Sequence, residues 1–199
     1  MRRSKYTTEE FLAGIVDENI HPAVDWGPDV GKEILLPELF YGLGDATLPM
    51  GDSPCIIAHI CNDIGGWGKG FVQPLGRRYP EAEAQYRAWF RCKTDPPFTL
   101  GQVQFVAVAP QVWVANMIAQ HGIGRQGPMP PIRYEALREC LGYVRAFAQA
   151  QSAFVQMPRV GCGLAGGKWE IVSNIVEEEL VSHGLFVLVL DLPVTTGTT

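Results

Sequence analysis

The chain has 199 residues, of which 47% are hydrophobic and 19% are charged, a balance that suits one globular domain with a sizeable core and a small appendage. Its net charge of −5 argues against general nucleic-acid binding, which needs a basic face, but leaves open an anionic small ligand held by backbone N–H groups. No apolar run reaches the roughly 20 residues that span a bilayer, and the first residues lack the apolar segment of a signal peptide.

Cysteine and histidine usage indicates where the protein works. The five cysteines are odd in number and include no CxxC pair, so we expect reduced, mostly buried thiols and a cytoplasmic protein. The four histidines show no zinc-ligand spacing. We therefore predict no metal and no required cofactor.

Residues 1–35 differ in pattern from the rest of the chain. The run "TTEEFLAGI" predicts a short helix, and the following "HPAVDWGPDVGKE" has no helical or strand period and indicates an extended arm around an isolated Trp26. We place the main domain over residues 36–193 and a frayed tail over 194–199.

From residue 36 onward, apolar strand-like runs alternate with amphipathic helical runs. Strands are predicted in "ELFYGLGD", "CIIAHIC", "GQVQFVAVAP", "VWVANMIAQ", "AFVQMPRVG" and "LFVLVLDL". Helices are predicted over 72–92, with a break at Pro80, over 132–151, and over 169–184, ending at Gly184. Several strands are apolar on both faces, which predicts an α/β fold whose sheet is covered on both sides.

Two glycine-rich loops follow predicted strands. They are "CNDIGGWGKG" over 61–70 and "GCGLAGGKW" over 161–169. Ligands of open α/β sheets bind beyond the carboxyl ends of the strands, so two such loops on neighbouring strands could clamp a diphosphate from both sides. Neither loop fits the Walker A motif, and the GxGxxG match over 161–166 lies outside the first βαβ unit, where that fingerprint belongs. The pattern favours phosphate or nucleotide binding, and two ordinary tight turns are the alternative.

Five segments in the same order resemble the macrodomain family, and specifically its branch that processes ADP-ribose 1″-phosphate. They are "GDAT" over 44–47, "HICNDIGGWGKGF" over 59–71, "NMIAQHGI" over 116–123, "IRYEAL" over 132–137 and "MPRVGCGLAGGKWE" over 157–170. The resemblance covers residues 36–192. It implies a three-layer α/β/α sandwich with a mixed, mostly parallel sheet, and ADP-ribose as the ligand.

The resemblance also implies roles for individual residues. Asp45, with Ala46, would hold the adenine, and Asn62 would hold the distal ribose. The two phosphate loops would consist of Gly65, Gly66, Trp67, Gly68, Lys69 and Gly70, and of Gly161, Cys162, Gly163, Leu164, Ala165 and Gly166. Trp67 would either cover its loop or belong to the core, and Lys69 would either meet a phosphate or remain solvated.

The chain departs from one catalytic branch of the family. That branch uses a lysine and an aspartate to remove ADP-ribose from glutamate, and those residues are replaced here by Gln120 and Ala165. An amide cannot form a Schiff base and alanine cannot act as a base, so these two residues argue against that mechanism. The remaining catalytic candidates are Asn62, Asp63, Gln120 and His121. Asp63 or His121 could act as the general base, or the bound diphosphate could orient the attacking water while Asn62 holds the sugar.

These residues lead to a functional hypothesis with alternatives. We expect an ADP-ribose-binding hydrolase that removes ester-linked ADP-ribose from acidic side chains. A phosphatase acting on ADP-ribose 1″-phosphate and a non-catalytic ADP-ribose reader are the alternatives. Residues 6–33 resemble the toxin-binding tail of MazE-type antitoxins, which implies a MazF-type toxin as partner through apolar anchors such as Phe11 and Trp26; packing on the domain or self-association is the alternative.

Overall fold

The computed structural model describes residues 39–93, 95–124 and 128–193. The predicted arm over 1–35 and the tail over 194–199 lie outside the described residues, so both remain predictions. None of the described helices has the length and apolar character needed to cross a membrane.

Strands and helices alternate along the chain as the sequence predicts. The strands are β1 (Leu39–Leu43), β2 (Cys55–Asn62), β3 (Val103–Ala109), β4 (Val112–Gln120), β5 (Phe154–Met157) and β6 (Val187–Asp191). The helices are α1 (Val72–Arg78), α2 (Pro80–Cys92), α3 (Tyr134–Gln151) and α4 (Trp169–Glu179).

Two helix boundaries show how local sequence ends a helix. The break predicted at Pro80 is confirmed, because Pro80 occupies the first position of α2, where its missing N–H costs no hydrogen bond. The last helix ends earlier than predicted, at Glu179, and a 3₁₀ turn over Val181–His183 precedes Gly184. Gly184 has a φ of +83°, which allows it to terminate the segment.

The described strands form one sheet in the order β1-β6-β5-β2-β4-β3. All neighbours are parallel except β3 and β4, which form an antiparallel pair. The prediction of a mixed, mostly parallel sheet is therefore confirmed. Parallel pairing aligns the carboxyl ends of β2, β4, β5, β6 and β1 at one edge, which is where both glycine-rich loops emerge.

Alternation along β2 builds the two outer layers. Ile56 and Ala58 face a core that includes α3 and α4, whereas Cys55 and Ile57 face a second core that includes α1 and α2. The sheet is thus buried on both faces, which explains why β2 is apolar at nearly every position. The result is the predicted three-layer α/β/α sandwich.

Candidate functional site

The two glycine-rich loops lie side by side. The first follows β2 and the second follows β5, and these strands are direct neighbours, as predicted. A cavity of about 250 Å³ lies between the loops. It is lined by His59, Ile60, Lys69, Gly70, Phe71, Val72, Gln120, Pro158, Arg159, Val160, Gly161, Gly163, Leu164 and Ala165. Seven predicted site residues are therefore brought together around one cleft.

The backbone of both loops offers hydrogen-bond donors to this cavity. Within the described residues, the N–H groups of Gly68–Gly70 and of Gly163–Ala165 donate to no protein acceptor. Most of these residues line the cavity. Unpaired backbone N–H groups in two adjacent loops can together bind an anion with several oxygens, such as a diphosphate.

One glycine in each loop has a positive φ, which residues with a side chain rarely adopt. Gly70 has a φ of +81°, and a Cβ there would lie 3.5 Å from Cδ1 of Leu164 in the opposite loop. Gly161 has a φ of +73°, and a Cβ there would lie 2.4 Å from Cδ1 of Ile132. A side chain at Gly161 would clash with the core under the second loop.

Asn62, at the end of β2, holds the first loop in shape. Its Oδ1 accepts hydrogen bonds from the N–H groups of Ile64 and Gly66, at 3.2 and 2.8 Å, and its Nδ2 donates to the Gly66 carbonyl at 2.6 Å. The hydroxyl of Tyr86 donates to the Asn62 carbonyl. The amide expected at the distal ribose is thus mostly used inside its own loop, which the sequence could not reveal.

Asp63 and His121 form a carboxylate–imidazole pair beside the cavity-lining Gln120. His121 Nδ1 lies 2.7 Å from Asp63 Oδ2, and the Gly122 N–H donates to Asp63 Oδ1 at 2.7 Å. Asp63 is largely buried, with 16% of its side chain exposed, whereas His121 is 49% exposed. A carboxylate that accepts from Nδ1–H leaves Nε2 of a neutral imidazole as a proton acceptor. This pair has the arrangement of a general base with its positioning residue.

Three other polar candidates have different environments. Gln120 lines the cavity and donates from Nε2 to the Gly122 carbonyl at 2.8 Å, so it supports the turn that carries His121. Lys69 lines the cavity and is exposed. Cys162 donates its thiol to the Val160 carbonyl, and burial raises the pKa of that thiol, which disfavours a nucleophilic role.

Asp45 and Ala46, predicted to hold the adenine, do not line the cavity between the loops. Asp45 borders a separate cleft of about 430 Å³ with Thr47, Pro74, Arg77 and Arg78. Burial raises the pKa of Asp45, but hydrogen bonds from Thr47 and the charge of Arg78 more than offset burial, so the net shift is downward. Ala46 is buried, and its carbonyl accepts from Gln156 Nε2 at 2.9 Å.

Trp67 belongs to the core and does not cover its loop. The indole is buried, and its ring packs edge-on against His59 at 5.3 Å and at a tilt against Tyr86 at 5.4 Å. Of the two alternatives for Trp67, the structure shows the core position, because the apolar space beneath α1 and α2 takes up the ring. Its side chain is therefore unavailable to a ligand.

His59 is a buried polar residue of the cavity wall that the sequence reasoning did not single out. Its Nε2 lies 2.6 Å from Asn116 Oδ1 and so carries the proton, and Asn116 in turn donates to Gln104 Oε1 at 3.1 Å. Burial lowers the pKa of His59 from 6.5 to about 4, although the hydrogen bond to Asn116 opposes the shift. The imidazole is therefore neutral at physiological pH.

Arg159 closes one end of the cavity. Its guanidinium makes a bidentate pair with Asp191 at 2.8–3.0 Å and lies over the rings of Tyr41 and Trp169, at 5.4 and 5.2 Å from their centroids. These contacts join the carboxyl ends of β1, β5 and β6 to the start of α4. They hold a planar cation in the cavity wall.

No metal centre emerges from the described part of the chain. No group of three or more histidine, cysteine, aspartate or glutamate side chains is placed there to hold a metal ion.

Comparison with known proteins identifies the family. No model of a protein family matches the chain. A solved structure, the macrodomain protein from Streptomyces coelicolor, is 49% identical, and the match covers 77% of this chain and 99% of that one, with a TM-score of 0.69. The chain belongs to the macrodomain family.

Two further proteins are similar to this macrodomain. A protein of unknown function from Bacteroides thetaiotaomicron has a solved structure that is 52% identical, with a TM-score of 0.75 over 78% of this chain and 98% of that one. The ADP-ribose 1″-phosphate phosphatase of Lodderomyces elongisporus is 26% identical over 141 residues, which are 66% of this chain and 84% of the yeast protein. The family predicted from the five segments is confirmed.

Replacing Asn62 with alanine should destabilise the macrodomain by about 1–3 kcal/mol, because two loop N–H groups and one carbonyl would lose their partner in a largely buried position. Urea unfolding measures this change. Gln73→Ala is the matched control, because the Gln73 amide donates to the Gly68 carbonyl from an exposed position. Equal, small effects of the two substitutions would contradict the role given to Asn62.

Sequence signals for the missed residues of the macrodomain were present but weak. His59 is a polar residue within the apolar run of β2, and Arg159 is a cation directly after a strand. Neither feature of the sequence distinguishes a residue in a cavity wall from an ordinary residue of the core or the surface. Their roles depend on Asn116 and Asp191, which are distant in sequence.

Proposed function

We propose that this macrodomain binds ADP-ribose and hydrolyses ester-linked ADP-ribose from acidic side chains. The observation that carries the proposal is the cleft between the two glycine-rich loops, whose wall includes Gln120, the chain neighbour of His121 in the Asp63–His121 pair. The loops supply the donors for a diphosphate, and the pair supplies a proton acceptor where a sugar bond would be cleaved.

In the proposed complex, the diphosphate lies between the free N–H groups of Gly68–Gly70 and of Gly163–Ala165. Asn62 acts as a positioning residue that holds the first loop open for the phosphates. Asp45, in the neighbouring cleft, stays the predicted partner of the adenine. Its Oδ1 already accepts from Thr47, and its Oδ2, which lies 3.6 Å from Arg78 Nη2, would accept from the base.

The proposed reaction is attack of water on the anomeric carbon of the distal ribose, with displacement of the glutamate carboxylate. His121 Nε2 takes the proton of the water, the new C–O bond forms, and the bond to the glutamate oxygen breaks, so that the glutamate leaves as a carboxylate. Asp63 holds His121 in the tautomer that can accept this proton. The alternative, in which the diphosphate itself orients the water, forms the same products without His121.

The test is release of ADP-ribose from a protein modified on glutamate. Incubation with this macrodomain should liberate free ADP-ribose and restore the unmodified glutamate, whereas a substrate linked through arginine should stay intact. Calorimetry on the same preparation should show ADP-ribose binding. Binding without release from any ester would instead favour the reader alternative.

A phosphatase acting on ADP-ribose 1″-phosphate is the second candidate. The observation that favours it is the similarity to the yeast enzyme with that activity, which extends over 84% of that protein. The same water activation would serve, with phosphate in place of glutamate as the leaving group. Measurement of phosphate release from ADP-ribose 1″-phosphate, compared with ADP-ribose release from glutamate, discriminates the two activities.

The proposal that residues 6–33 bind a MazF-type toxin does not depend on the function of the cleft. The macrodomain and this segment can be separated experimentally. If deletion of residues 1–33 leaves co-purification of any toxin partner unchanged, the antitoxin-like role is wrong.

A further inference from the structure

Four exposed apolar side chains lie in the loops at the same edge of the sheet as the cleft. They are Ile64 in the first glycine-rich loop, Leu164 in the second, and Ile123 and Met129 in the segment between β4 and α3, with exposed fractions of 48–63%. Single exposed apolar residues are ordinary on a protein surface. These four differ because they lie in the three segments that follow β2, β4 and β5, at the edge of the sheet where the cleft lies, and we call them the apolar rim.

Two side chains of the apolar rim contact the glycine-rich loops. A Cβ at Gly66 would lie 2.5 Å from Cδ1 of Ile123, and a Cβ at Gly70 would lie 3.5 Å from Cδ1 of Leu164. The side chain of Ile123 therefore rests on the first loop, and that of Leu164 reaches across from the second loop. Small residues beneath them create the space that these side chains occupy.

Two members of the rim flank the Asp63–His121 pair. Ile64 directly follows Asp63, and Ile123 comes two residues after His121. The Asp63 N–H donates to the Gln120 carbonyl at 2.9 Å, and the Gly122 N–H donates to Asp63 Oδ1, so the two segments are tied together at the pair. A group that leaves an anomeric carbon beside His121 would therefore start close in sequence and space to Ile64 and Ile123.

We propose that the apolar rim binds the polypeptide that carries the ADP-ribose, through apolar residues on either side of the modified acidic residue. This inference rests on the proposed function, because the polypeptide is the leaving group of that reaction. A small leaving group such as phosphate would leave all four side chains in water. A polypeptide would cover them, and shielding about half of one isoleucine contributes roughly tenfold in affinity.

Binding of ADP-ribosylated peptides tests the rim independently of turnover. Two peptides are compared, each carrying ADP-ribose through a stable oxime linkage, one with leucine and one with serine on both sides of the modified position. The macrodomain should bind the leucine-flanked peptide about tenfold more tightly than the serine-flanked peptide or free ADP-ribose. Equal affinities for the two peptides would overturn the proposal.

Variants assign the preference to the rim. Ile64→Ser or Ile123→Ser should remove most of the preference for leucine and change the Kd for free ADP-ribose by less than twofold. The control is Ile171→Ser, an exposed isoleucine on α4 outside the rim, which should keep the preference. If the rim variants weaken free ADP-ribose and both peptides by the same factor, the rim shapes the cleft and does not contact the polypeptide.

The outcomes also separate this inference from the proposed function. If the macrodomain binds the leucine-flanked peptide tightly but releases no ADP-ribose from a glutamate ester, the proposed hydrolysis is wrong and the proposed role of the apolar rim is supported. If it binds no ADP-ribose in any form, both are wrong. Light scattering checks whether the rim instead joins two copies of this chain, because dimers lost in Ile123→Ser would contradict polypeptide binding.

Discussion

Replacing Asp63 with asparagine is expected to lower the rate of ADP-ribose release from glutamate by about 10²-fold or more. The asparagine can still accept from the Gly122 N–H, but its amide N–H₂ would then face His121 Nδ1. That contact favours the imidazole tautomer with its proton on Nε2, which cannot accept a proton from water. Single-turnover release of ADP-ribose from a glutamate-modified protein measures the change.

Two comparisons make this result interpretable. His121→Ala should lower the rate by a similar factor, and the double variant should be little worse than either single variant, because the two residues act as one unit. The Kd for ADP-ribose should stay within twofold of the parent value, and Asp52→Asn, an exposed aspartate, serves as the control. Unchanged turnover in His121→Ala would instead support water activation by the diphosphate.

Acidification should destabilise the macrodomain through His59 by about 3 kcal/mol between pH 7 and pH 4. Burial lowers the folded-state pKa of His59 to about 4 from an unfolded value of 6.5. Between these values the unfolded chain binds a proton that the folded chain does not, so stability falls as the pH falls. The loss of unfolding free energy due to His59 begins near pH 6.5 and levels off below pH 4.

The contribution of His59 is measured as a difference between variants, because other groups titrate in the same range. Unfolding free energies of the parent and of His59→Gln are determined in urea at several pH values from 7 to 4. The parent should lose about 3 kcal/mol more than His59→Gln over this range. His183→Gln, which removes an exposed histidine, should follow the parent curve. Parallel curves for the parent and His59→Gln would show that His59 is accessible to protons in the folded state.

The order of strands and helices could be predicted from sequence because each element carries its own pattern. The apolar run of β2 indicates a strand buried on both faces, and the 3.6-residue spacing in α3 indicates a helix buried on one face. Pro80 and Gly184 mark the ends of helical segments through their backbone conformations. The extent of the last helix was predicted less well. Its final turn tightens into a 3₁₀ segment over Val181–His183, and that choice depends on packing.

The site was predicted in outline, and the tertiary structure changed its details. The adjacency of the two loops follows from their positions after strands that proved to be neighbours. The sequence allowed two positions for Trp67, over its loop or in the core. The structure places the ring in the core, because the space under α1 and α2 is apolar. Asp45, predicted to hold the adenine, borders a separate cleft beside Arg77 and Arg78, and its role stays a prediction.

The sequence alone determined the fold class, the family resemblance and the two glycine-rich loops, because these depend on patterns within short stretches of chain. Only the tertiary structure decided which polar groups are free to act. Asn62 is occupied by its own loop, whereas Asp63 meets His121 across 58 positions of sequence. Hydrogen-bond partners and burial arise from contacts between distant segments, and no local pattern records those contacts.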